Sequence, residues 1–90
     1  HKDALRNALK GYTRLNAIAF RKISPGGIIF TFSCSQAVNK DQFRLAVFTA
    51  AAQRGRHVRI LHQLHQPADH PINIYHPEGE YLKGLVLYVE

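Results

Sequence analysis

Methionine and tryptophan are missing from these 90 residues, and cysteine occurs once. A lone thiol excludes an internal disulfide, leaving Cys34 either as a small buried filler or as a group with chemistry of its own. No apolar run approaches the roughly 18 residues that a membrane-spanning helix requires, and the start lacks a signal-peptide pattern. A soluble, cytoplasmic protein with no membrane partner is therefore expected. Repeats and low-complexity tracts are absent too, which leaves a globular domain with a modest core, 46% of its residues being apolar. Acidic residues are scarce: six Asp and Glu face 12 Lys and Arg, for a net charge of +6. Such an excess favours an anionic partner such as a phosphate backbone, although it serves solvation equally well. With no initiator Met, and with Ala4, Leu5, Ala8 and Leu9 in helical rhythm from the first turns, the chain is expected to be a piece of a longer protein.

From Lys2 to Ile23, Ala4, Leu5, Ala8, Leu9, Tyr12, Leu15, Ala19 and Phe20 recur in three- and four-residue steps between basic residues, the pattern of an amphipathic helix. Gly11 inside it costs about 1 kcal/mol against Ala, which predicts close packing at that point as compensation. Ser24-Pro25-Gly26-Gly27 stops the helix. Ile28-Ile29-Phe30-Thr31-Phe32 then reads as a strand, apolar on both sides as in a sheet covered on both faces. Asn39 is a candidate N-cap for a helix through Asp41, Phe43, Ala46, Phe48, Ala50 and Gln53, which Gly55 closes. His57 to Leu64 alternates as a further strand. Pro67 and Pro71 interrupt the next stretch, Pro77-Glu78-Gly79 turns the chain, and Tyr81 to Val89 is the most apolar strand.

The order helix, strand, helix, strand, strand implies α/β architecture. A strand-helix-strand unit suggests a parallel pair with a right-handed crossover, and the closing strand suggests an antiparallel partner. This is half of a doubly wound sheet. The first strand's free edge would expose unpaired backbone groups, so a homodimer through that open edge is a further expectation.

Five segments, taken in order, carry a family resemblance: Gly11-Tyr12-x-x-Leu15-Asn16, Gly26-Gly27-Ile28, Thr31-Phe32-Ser33-Cys34-Ser35, Ala68-Asp69-His70-Pro71 and Glu80-Tyr81-Leu82-Lys83-Gly84. From about Lys2 to Glu90 the chain resembles the ribosomal RNA large subunit methyltransferase I family, S-adenosylmethionine-dependent enzymes that form 5-methylcytosine in 23S ribosomal RNA. The resemblance implies the C-terminal half of a class I methyltransferase Rossmann-like sheet, with the last strand antiparallel between its neighbours. It also implies that the cofactor, S-adenosylmethionine, is held mainly upstream. The family's glycine-rich loop and Asp-Pro-Pro segment are not within the chain, and Gln36 follows Ser35 where many relatives have His.

The resemblance places Cys34 as the catalytic nucleophile that adds to C6 of cytosine. A thiolate suits that step, and Cys34 falls just past the carboxyl end of a strand, where ligands of open α/β sheets collect. Ser33 and Ser35 are candidates to orient the thiol or a pyrimidine edge, or simply to form a turn. Asp69 and His70 offer a carboxylate and an imidazole to line the pocket or take the C5 proton, while a plain connecting loop uses the same residues. Tyr81 and Lys83, two apart on one strand, can meet a nucleotide together; alternatively Lys83 pairs with Glu80 or reaches solvent. Tyr12 and Asn16 share a helix face that looks toward the cleft or the core. His62, His65 and His70 lack the accompaniment of a structural metal site, so no metal is expected. The competing reading is a noncatalytic RNA-binding or oligomerisation module with a structural cysteine.

Overall fold

The computed structural model describes residues 2–66, 71–75 and 81–90. Helix α1 (Lys2–Lys22) is followed by strand β1 (Gly27–Ser33), helix α2 (Lys40–Gln53), strand β2 (Val58–Leu64) and strand β3 (Lys83–Val89). Among the described residues the strands form one sheet in the order β1-β3-β2, with β3 antiparallel to both neighbours. Thus β1 and β2 are not bonded to each other as the strand-helix-strand pattern suggested. The last strand is inserted between them, as the family resemblance implied. Its register runs from Gly27 opposite Val89 to Ser33 opposite Lys83 on one side, and from Val58 opposite Val89 to Leu64 opposite Gly84 on the other. A slip between Ile60 and His62 interrupts the second ladder.

Both helices pack on one face of this sheet. Phe20, Val38, Phe43, Val47 and Ala50 meet Leu85, Leu87 and Val89 there in one buried cluster. On α1 the buried seam passes through Asn16, Ala17 and Phe20, while Leu15, expected among the apolar positions, is 62% exposed. Gly11 is exposed, and a methyl group added to it would touch nothing within 4 Å. The close packing predicted there does not exist; the other residues of the helix supply its stability. The turn between α1 and β1 does need glycine, because Gly26 has φ +89° and donates its N–H to Val89 O at 2.7 Å.

Sequence signals set the ends of α2. Asn39 Oδ1 accepts the Gln42 N–H at 2.8 Å, and Gln42 Oε1 accepts the Asn39 N–H at 2.9 Å, a reciprocal capping box. At the other end Gly55 adopts φ +62°, and the Arg56 and Gly55 amides donate to Ala51 O and Ala52 O, both at 3.1 Å. The side chain of Arg56 turns back to cap α1, its Nη1 donating to Phe20 O at 2.6 Å and to Ile23 O at 2.9 Å. That cation is spent on backbone carbonyls.

Candidate active site

Cys34 follows directly on the last residue of β1 and is exposed. The residues on either side of it are fixed. Ser33, 1% exposed, faces the helices, and its Oγ donates to Tyr12 Oη at 2.8 Å. The same Oγ accepts the Ser35 N–H at 3.2 Å. Ser35 Oγ in turn accepts the Ala37 N–H at 3.2 Å, and Ser35 O accepts Lys83 Nζ at 2.7 Å. Shortly afterwards the chain is anchored again by Val38, 1% exposed, and enters the cap of α2. The thiol is therefore presented outward from a loop whose backbone is fastened on both sides, at the mouth formed by the carboxyl end of β1 and the start of β3.

Tyr12 is half-buried and serves both purposes anticipated for it: its ring meets that of Phe43 edge-on, centroids 5.5 Å apart at 89°, while its hydroxyl reaches Ser33. Asn16, 2% exposed, lies under the same turn and donates Nδ2–H to Tyr12 O at 2.8 Å. It belongs to the interior and not to an open cleft. Lys83 departs furthest from expectation. Only 8% exposed, it stands opposite Ser33 in the ladder with its ammonium turned onto the Ser35 carbonyl. It neither reaches solvent nor shares an open strand face with Tyr81, because Tyr81 precedes β3 and is placed instead by its N–H donating to Gln66 Oε1 at 2.8 Å. A lysine between Leu82 and Gly84 in an otherwise apolar strand was the signal available for this burial. Gln66 and Arg56 gave none.

Asp69 and His70 lie outside the described residues, as does Glu80. His62 and His65 are both exposed. Beside Lys83, between the start of α2 and the ends of β2 and β3, is a cavity of about 60 Å³ lined in part by Asp41, Arg44, His65 and Leu82, room for a few waters and not for a nucleotide.

Over 89 residues the chain is 45% identical to ribosomal RNA large subunit methyltransferase I of Shewanella denitrificans, a match covering 99% of this chain and 22% of that protein. The protein of the same name from Cronobacter sakazakii is 43% identical over 89 residues, with the same coverage of 99% and 22%. By sequence, the chain is similar over nearly its whole length to part of the ribosomal RNA large subunit methyltransferase I proteins. It spans about a fifth of the length of these relatives, 22%. No family model matches it. Among solved structures, a protein of Streptococcus mutans assigned as a SAM-dependent methyltransferase superimposes with a TM-score of 0.79 at 19% identity, over 89% of this chain and 21% of that one. A second, assigned as a methyltransferase and complexed with SAH, gives 0.79 and 19% over 89% and 20%. These likenesses establish the fold: the five elements are arranged as in part of the two matched structures. Among the described residues no glycine-rich turn leads from a strand into a helix, and the strand-end carboxylate of Glu90 is paired with Arg59 at 3.1 Å, so the residues present do not themselves fit the cofactor.

Proposed function

We propose that the full-length protein is a cytoplasmic RNA methyltransferase that modifies C5 of a cytosine in 23S ribosomal RNA, with Cys34 as its covalent nucleophile. The observation that carries this reading is an exposed thiol on a fastened loop at the carboxyl end of β1, in a chain similar to these proteins. A filler cysteine would be packed among the apolar residues beneath the sheet, where free cysteines usually lie.

In this mechanism Cys34 Sγ, as thiolate, adds to C6 of the cytosine, and the ring electrons displaced toward C5 make that carbon nucleophilic. S-adenosylmethionine, held by parts of the full-length protein outside this chain, supplies the methyl group. Loss of the C5 proton to a base then expels the thiolate and restores the aromatic ring. Asp69 or His70 is proposed as that base or as pocket lining, and the half-exposed Ser35 and Tyr81 as contacts to the nucleotide. Ser33 contributes through the loop, since its hydroxyl is buried.

Cys34→Ala in the full-length protein is expected to abolish methylation of 23S RNA while leaving cofactor binding intact. With 5-fluorocytosine in the RNA, the wild-type protein should form a stable adduct visible by mass spectrometry at Cys34, because fluorine cannot leave as the proton does. Normal turnover by the alanine variant would overturn the assignment and favour a noncatalytic RNA-binding module. For the 90-residue chain by itself, the edge of β1 that is unpaired among the described residues favours a homodimer joined strand to strand. Sedimentation showing monomers at high concentration would remove that proposal.

A further inference from the structure

Cys34 is held in place by side chains that do not themselves face a substrate. Ser33 and Lys83 are 1% and 8% exposed and stand opposite each other across the β1–β3 ladder. Ser33 Oγ fixes the amide of Ser35 and Lys83 Nζ fixes its carbonyl, at 3.2 Å and 2.7 Å. Those two groups belong to the two peptide units that come after the Cys34 Cα. The unit preceding it closes β1, which is bonded to β3 along its length. With the backbone determined on both sides, rotation about χ1 is the chief freedom left to the thiol.

Burying an ammonium is costly unless strong acceptors compensate it, and the neighbouring positions of β3 are filled by Leu85, Val86 and Leu87. An apolar residue at position 83 would satisfy the packing but leave the Ser35 carbonyl without its charge-assisted partner. We infer that Lys83, assisted by the Tyr12–Ser33 hydroxyl pair, is a positioning residue that aims Cys34 at its target base. The inference rests on the reading of Cys34 as the nucleophile. It assigns the lysine a role in orienting the loop and not in binding RNA. Tyr12 and Lys83 approach from α1 and β3, so the aim of the thiol depends on elements at opposite ends of the chain.

The test uses the full-length protein with Lys83→Met, Lys83→Arg and Tyr12→Phe. Lys83→Met is expected to lower kcat roughly 10- to 100-fold with KM for S-adenosylmethionine unchanged, the size of loss that a small misplacement of a reacting group produces. Lys83→Arg, which keeps a cationic donor, should recover part of that loss. Tyr12→Phe removes a single oxygen, lowers the melting temperature by a few degrees without unfolding the protein, and should give a smaller fall in kcat; it decides the matter if Lys83→Met does not fold. Amide hydrogen exchange of the peptide spanning Cys34 and Ser35 should quicken about tenfold or more in Lys83→Met, whatever the function of the thiol. Wild-type kcat in folded Lys83→Met, or wild-type kcat in Tyr12→Phe, would overturn the inference, as would unchanged exchange across the loop. Activity surviving Cys34→Ala together with quickened exchange in Lys83→Met would instead remove the nucleophile and leave the fastening of the loop standing.

Discussion

On the helix-covered face of the sheet Thr31, Leu85, Leu87 and Val89 are at most 8% exposed, whereas on the opposite face Ile28, Phe30 and Phe32 of the same β1 are 45%, 62% and 44% exposed. The side chains are of similar character; only their company differs. Hydrophobicity along β1 specifies a strand with two dry faces, and the described residues cover one of them. Among the described residues no element covers this row of aromatic and branched side chains.

The sharpest way to test that contrast is to truncate one phenylalanine on each side. Phe43→Ala, at a residue 1% exposed, is expected to cost about 3–5 kcal/mol, enough to unfold a domain of this size. Phe30→Ala, at 62% exposure, should change the stability of the 90-residue chain by only about 0.5 kcal/mol. Urea midpoints compare the two, and an equal cost would mean that the open face is covered in solution. Gly84→Ala comes next. Its new Cβ would stand 2.8 Å from the Phe32 ring and 3.0 Å from Leu64 Cβ, for a cost of about 1–3 kcal/mol. Part of that is relieved if Phe32 swings out from the uncovered side, so the cost should be larger in the full-length protein than in the 90-residue chain. The smallest effect has the opposite sign. Gly11→Ala, at a helical position where the added methyl meets nothing, should stabilise either protein by about 0.5–1 kcal/mol in thermal or urea unfolding.

The elements read from the sequence best where their ends carry local chemistry. Asn39 and Gly55 bounded α2 because capping involves only near neighbours; the return bond from Gln42 that completes the capping box came from the structure. The apolar runs of β1 and β3 were equally plain. Non-local outcomes were not legible in this way. Leu15 fits the helical period as well as Ala17 does, and only the position of α2 decides which of them is buried. The place of β3 between β1 and β2 came from the resemblance to a family, since residue types alone favour pairing β1 with β2. At the candidate site, the role given to Cys34 came from the resemblance, with its place after a strand beside it; the structure shows the residue exposed. The role of Lys83 was hidden because a charged residue in a strand is ordinarily assigned to the surface, and its acceptor lies 48 residues away in sequence.

The central position of β3 also governs when this region can assemble. Strands β1 and β2 are made first, yet among the described residues each takes its ladder bonds from β3, which the ribosome delivers after both. Until then both strands wait with exposed edges, in a state open to misassociation. Lys83, which donates to the Ser35 carbonyl, arrives on that same later strand. Ordering of the Cys34 loop therefore waits for β3, which also brings Leu85, Leu87 and Val89 to the core.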